Sequence, residues 1–182
     1  MKTIKYFFVY LLPISVYLSF NSTGYMTFMP IVVFFGIVPI LELLLSPDSA
    51  NMDKKMATDE KNKKLYDWIL YLATPIQVAF LVYFLFVIQS TPFGSIEFIG
   101  KVASMGLMCG VLGINVGHEL GHRHKRAEQF LGEILLLSSL DTHFLPYHNG
   151  GHHRNVATPK DAATARKNEL LFTFWITSHF GS

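Results

Sequence analysis

Long apolar runs separated by short polar breaks dominate the pattern of this chain. Four of the runs have the continuity expected of helices that cross a bilayer, whose hydrocarbon core needs about 20 apolar residues. They lie at residues 6–20, 26–45, 66–89 and 96–116. Turn-forming clusters lie between the first and second runs and between the third and fourth. The pattern therefore predicts two helical hairpins.

Two weaker apolar stretches follow the fourth run. Residues 130–140 are too few to span a membrane, and we expect an interfacial or bundle-buried helix there. Residues 170–180 begin a further apolar segment. The predicted fold is an all-α, multi-spanning transmembrane bundle with four full spans and the start of another, forming one membrane domain over residues 1–182.

Composition agrees with a membrane protein. Hydrophobic residues make up 51% of the chain and charged residues only 15%, whereas soluble domains average about 25% charged residues. The net charge of +2 gives no argument for a nucleic-acid partner. The single cysteine, Cys109, excludes a disulfide framework within the chain.

Basic residues cluster at one end of the predicted helices. Lys2 and Lys5 precede the first run, and five lysines lie in the polar loop at 46–64. The basic residues just after the fourth run are Arg123, Lys125 and Arg126. Because cytoplasmic loops carry the excess of Lys and Arg, we expect the N-terminus and the segment after His118 on the cytoplasmic side.

Five of the eight histidines form two clusters. His118 and His122 are four residues apart, so on a helix their imidazoles share a face. His148 and His152 have the same spacing, and on an α-helix His153 would point about 100° further round, towards a neighbouring ion. The glycines between them also allow a loop.

This donor set predicts a metal site facing the cytoplasm. Neutral imidazole suits iron, zinc, copper and nickel alike. More than four histidines exceed the needs of one tetrahedral zinc ion. Two metal ions are implied, or one ion with further histidines hydrogen-bonded around it.

The first cluster also matches the H-E-x-x-H pattern of zinc metalloproteases. There His118 and His122 would bind zinc and Glu119 would act as general base. That function does not explain the second cluster. A metal-binding membrane protein without catalytic activity is a further alternative. We expect His124, His143 and His179, which lie outside both clusters, not to be ligands.

Two segments resemble a known family. HELGH at 118–122 and HNGGHHRNVATPKD at 148–161 resemble the first two histidine boxes of the integral-membrane alkane 1-monooxygenases, which are related to xylene monooxygenases and membrane desaturases. The second box, with its Val-Ala-Thr-Pro continuation, is the specific part. The resemblance covers residues 110–182 closely and the earlier spans by layout.

The resemblance implies a six-helix bundle with a non-haem di-iron site at its cytoplasmic end, in the bacterial inner membrane. With O₂ as co-substrate, such a site hydroxylates the terminal methyl group of an alkane, using electrons from rubredoxin. The implied iron ligands are His118, His122, His148, His152 and His153. We expect Glu119 and Asp161 to accept the free N–H of ligand imidazoles and so to orient them.

The chain departs from the family pattern in three respects. Tyr147 stands where the family usually has an acid, and Ala162 where it usually has proline. The family's later histidine boxes are absent, so we expect this chain to be the N-terminal part of a longer oxygenase that is inactive by itself. The sequence leaves open whether the lipophilic substrates are alkanes, fatty acids or aromatic methyl compounds.

Overall fold

The computed structural model describes residues 4–45 and 64–181. The predicted lysine-rich loop, apart from Lys64, and Lys2 lie outside the described residues. Within them all regular structure is helical. The helices are α1 (Tyr6–Phe20), α2 (Gly24–Leu44), α3 (Lys64–Gln89), α4 (Ile96–Gly121), α5 (Arg126–Ser138), α6 (144–155) and α7 (Leu171–Gly181).

Three of these helices, α2, α3 and α4, are long and apolar enough to cross a membrane. The chain is thus a membrane protein. The prediction of a fourth full span is not confirmed: within the described residues α1 is shorter than the other three helices and falls below the about 20 residues that a bilayer requires. The 3₁₀ helix Ile4–Tyr10 overlaps the start of α1, and only Leu11–Phe20 is α-helical.

The core lies where α1 packs against α3 and α4. Its buried side chains are Leu12, Val16, Phe20, Ala73, Met105, Met108 and Leu112. At the α1–α2 turn the buried hydroxyls of Ser19 and Ser104 both lie within hydrogen-bonding distance of the Thr27 carbonyl oxygen. These contacts satisfy polar groups that would otherwise be costly inside an apolar bundle.

Helix α4 continues beyond the apolar run that predicted it. It passes through a π-helical stretch at Cys109–Asn115 and then returns to α geometry at Val116–Gly121. Its last turn therefore carries His118 at the end of the membrane-spanning segment. His122 is the residue that caps this helix.

Helices α4 and α5 approach each other through glycine. A methyl group on Gly132 would lie 2.7 Å from the Gly117 carbonyl oxygen and 3.1 Å from the Gly121 nitrogen. Backbone cannot move aside as a side chain can, so nothing larger than glycine fits at 132 without separating the helices. Small residues at four-residue spacing are typical of close helix contacts in membranes. This contact determines where α5 and the histidine segment after it lie relative to His118.

We predict that Gly132→Ala lowers the free energy of unfolding by about 1–3 kcal/mol, because overpacking forces the two backbones apart. The measurement is thermal or denaturant unfolding of the purified protein in detergent, followed by circular dichroism. The control is Gly106→Ala on the same α4 helix, where a methyl group meets no atom within 4 Å. Equal stability of the two variants would contradict the close contact.

Candidate metal centre

The first histidine pair lies on one face at the end of α4. The Nε2 atoms of His118 and His122 are 2.7 Å apart, and their ring centroids are separated by 4.6 Å. The four-residue spacing produces this approach because successive helical turns stack such side chains. The His118 side chain is half-buried and that of His122 is exposed.

The second histidine cluster lies on α6, which contains a π turn. Phe144–Tyr147 is α-helical, His148–His152 is π-helical and His153–Asn155 resumes α geometry. A π turn pairs residue i with residue i+5, so residues five apart lie one above the other. As a result the Nε2 atoms of His148 and His153 are only 3.0 Å apart.

This turn changes one detail of the sequence prediction. Ideal α geometry would place His153 about 100° further round the helix than His152 and away from His148. The structure instead has both imidazoles on the same side of α6, with ring centroids 4.5 Å apart. The segment is helical, as the four-residue spacing predicted, and the alternative of a loop is wrong.

The two clusters meet although His118 and His148 are 30 positions apart in the sequence. The His148 ring lies 4.3 Å from that of His118 and 5.1 Å from that of His122, between centroids. His122 also lies 5.0 Å from His153. Donor nitrogens of His118, His122 and His148 all lie within 4.8 Å of one another, a group that can hold a metal ion.

Phe144 supports this group from one side. Its ring stacks on His148 with a centroid distance of 4.8 Å and an interplanar angle of 14°. It also meets the His118 ring edge-on at 5.3 Å. One aromatic side chain thereby holds imidazoles of both clusters.

His152 is turned towards a buried carboxylate. Its Nδ1 lies 2.8 Å from Oδ2 of Asp161, whose side chain is fully buried. Asp161 also accepts hydrogen bonds from the Tyr147 hydroxyl (3.3 Å), the Ala163 amide (3.0 Å) and the Thr164 hydroxyl. This is the contact expected of Asp161 from the sequence. Its effect on a bound metal stays a prediction.

The electrostatics favour neutral imidazole and ionised carboxylate. Burial, and then the neighbouring imidazoles, lower the pKa of His148 to about 4, so it is neutral at pH 7, the form that binds metals. The Thr164 hydroxyl is the main group that lowers the pKa of Asp161. Asp161 is therefore an anion that can hold the N–H of His152.

Glu119 pairs with arginine. Its Oε1 lies 3.2 Å from Nη2 of Arg123, one helical turn further along. Nη1 of Arg123 in turn lies 3.3 Å from Oδ1 of Asp67 on α3. The sequence predicted a role for Glu119 beside the histidines and did not single out Asp67 at all.

The remaining histidines have other neighbours. His124 is exposed in the turn between α4 and α5. His143 is largely exposed, with its Nδ1 3.8 Å from Asp141. His179 packs edge-on against the adjacent ring of Phe180.

Three residues around the cluster were not predicted from the sequence to be functional. They are Phe144, Tyr147 and Thr164. For Phe144 and Tyr147 the available signal was their position four and one residues before His148, on the same short helix. No sequence signal identified Thr164, which contacts Asp161 through a folded loop.

Comparison with known proteins gives the family context. No family model matches the chain. The chain is 33% identical to an alkane 1-monooxygenase of Alcanivorax borkumensis over 144 residues, 79% of this chain and 35% of that protein. It is also 33% identical to one of Pseudomonas aeruginosa over 167 residues, 90% of this chain and 44% of that protein. This chain is a relative of the alkane 1-monooxygenases.

A more distant similarity points the same way. The chain is 22% identical to the xylene/toluene monooxygenase hydroxylase component XylM of Pseudomonas putida over its whole length. It spans less than half of the length of each of these relatives. An alignment over 90% of 182 residues must include residues 118–153 wherever it begins. The region aligned with this alkane 1-monooxygenase therefore covers both histidine clusters.

We predict that Thr164→Val loosens the loop around Asp161. The valine keeps the shape of threonine but removes the hydroxyl that donates to Asp161 and accepts from the Ala157 amide at 3.0 Å. Hydrogen–deuterium exchange of residues 156–164 should accelerate about tenfold, since hydrogen bonds to charged groups are among the stronger ones. Thr158→Val is the control, because that hydroxyl bonds only the nearby Asn155 carbonyl. Unchanged exchange in Thr164→Val would contradict the described network.

Proposed function

We propose that this chain is the N-terminal part of a membrane non-haem di-iron monooxygenase. Its reaction is hydroxylation of the terminal methyl group of alkanes or similar lipophilic chains, with O₂ and electrons from a rubredoxin-type carrier. The observation that carries the proposal is the meeting of His118 and His122 with His148 and His153, in a chain related to alkane 1-monooxygenases.

The donor set fits a transition metal. Imidazole nitrogens suit iron among other metals, and five of them exceed the four positions of a tetrahedral zinc ion. His118, His122 and His148 would hold one ion, and His153, close to both His122 and His148, would reach a second. Bound iron would supply the redox chemistry that activates O₂ for hydroxylation.

The protein's own groups would orient these ligands. Asp161 accepts a hydrogen bond from Nδ1 of His152. The lone pair with which His152 can bind a metal ion is therefore on Nε2. Carboxylate–histidine pairs of this kind hold metal ligands in one tautomer and one ring orientation. The ring of Phe144 covers His148 and limits the access of water to that side.

The setting suits a lipophilic substrate. An apolar cavity of about 350 Å³ lies between α1, α3 and α4, and Val116 and Glu119 from the turn that carries His118 line it. A hydrocarbon has no polar group by which to be recognised, so apolar surface at membrane depth is what concentrates it. The relatives are named for alkanes and for xylene and toluene.

The proposed orientation puts the histidine end in the cytoplasm of a bacterial cell, at the inner membrane. Arg123, Lys125 and Arg126 immediately follow α4, as the positive-inside rule expects of a cytoplasmic end. A soluble electron carrier would reach the metal ligands from that side.

The zinc metalloprotease is the competing function. It requires Glu119 to act on a metal-bound water, but the Glu119 carboxylate is paired with Arg123. It also assigns no function to His152 and His153. The structure therefore favours the oxygenase.

Metal analysis of the purified full-length gene product separates the two functions. We expect about two iron ions per chain, because the histidines exceed the needs of one ion. The measurement is inductively coupled plasma mass spectrometry after expression in iron-sufficient medium. One zinc ion per chain and no iron would support the protease instead.

Replacement of a single histidine should remove both metal and activity. In His148→Ala we expect iron content and the conversion of octane to 1-octanol to fall to background, because His148 contacts the imidazoles of both clusters. Product is measured by gas chromatography with rubredoxin and its reductase supplied. His124→Ala is the matched control and should retain both. Full activity of His148→Ala would exclude His148 as a ligand.

A further inference from the structure

We propose that Tyr147 is a positioning residue of the metal centre: its hydroxyl holds Asp161 in place, and Asp161 in turn holds His152. The inference rests on the proposed function and extends it to a residue outside the expected ligand set. It concerns the chain's own groups, and it is testable by metal binding without turnover.

The donors divide evenly between the two oxygens of Asp161. Oδ2 accepts from Nδ1 of His152 at 2.8 Å and from the Thr164 hydroxyl. Oδ1 accepts from the Tyr147 hydroxyl at 3.3 Å and from the Ala163 amide at 3.0 Å. Because donors hold both oxygens, the carboxylate cannot rotate without breaking hydrogen bonds. Loss of the Tyr147 hydroxyl leaves the Ala163 amide as the one donor to Oδ1, so this oxygen is held less firmly.

The Tyr147 ring is itself held by the π turn. Tyr147 directly precedes His148, and a methyl group on Gly151 would lie 3.2 Å from its ring. The ring thus lies against the backbone just before His152. Tyr147 therefore connects the turn that carries the histidines with the loop that carries Asp161.

This connection has a chemical consequence for His152. A carboxylate next to Nδ1 keeps the proton on that nitrogen, so the lone pair available to a metal is on Nε2. If Asp161 rotates, this preference weakens and the ring gains freedom. Tyr147 then acts on metal affinity through His152 alone, which distinguishes positioning from a general contribution to stability.

The test is a double-mutant cycle on Co(II) affinity, measured by absorption titration of the metal-free full-length protein in detergent. Tyr147→Phe should weaken binding about five- to tenfold, at the lower end of the effect of groups that orient metal ligands. In a His152→Ala background the same change should weaken binding less than about twofold, because coupled residues are not additive.

Matched variants separate this role from a structural one. Tyr71→Phe removes a hydroxyl that donates to another carboxylate, Glu128, and should leave Co(II) affinity unchanged. Incorporation of 4-aminophenylalanine at position 147 keeps a donor in place and should restore affinity. If Tyr147→Phe does not fold, the 4-aminophenylalanine variant tests by itself whether a donor at position 147 maintains Co(II) affinity.

The outcomes are distinguishable. The inference would be overturned if Tyr147→Phe lowered Co(II) affinity equally with and without His152, or if 4-aminophenylalanine did not restore it. Either result would leave the metal centre itself intact. If the unaltered protein binds no Co(II), the proposed function itself fails, and this inference falls with it.

Discussion

The close approach of α4 and α5 at Gly117 and Gly132 is the contact on which the histidine cluster depends. At this point the backbones of the two helices come close together, so the distance between the helices depends on the absence of a side chain at Gly132. The segment after α5 returns to the end of α4, where a methyl group on Gly121 would collide with Leu145 at 2.1 Å. Leu145 lies three residues before His148, so the glycine contacts bring the second cluster to the first.

The cluster formed in this way brings together imidazole nitrogens and a buried carboxylate. Each of these groups would be costly to bury without a partner. Imidazole nitrogens point at one another at 2.7 and 3.0 Å, with no more than one proton to share in each pair. A cation at their centre would satisfy the lone pairs together. Asp161, fully buried, is stabilised by donors from helix α6 and from the loop at 163–164. The arrangement is typical of a binding site rather than of a packed core.

The position of the cluster relates it to the membrane. Among the described residues, the helix that carries His118 is one of three apolar helices long enough to span a bilayer, and an apolar cavity lies along the same turn. At this end Arg123 joins Glu119 to Asp67 on α3. In the proposed function, a lipophilic substrate in the bilayer and a soluble electron carrier outside it would approach the same helix end from different sides.

The sequence by itself determined the all-helical membrane architecture, three of the spans and the two histidine pairs, because hydropathy and the four-residue helical repeat act over short distances. Tertiary structure decided the rest. Only the fold shows that α1 is short, that a π turn carries His153 back over His148, and that Glu119 faces Arg123. Packing between segments, which no local pattern encodes, brings His118 to His148. Such packing also produces the contacts of Asp161 with Tyr147 and His152.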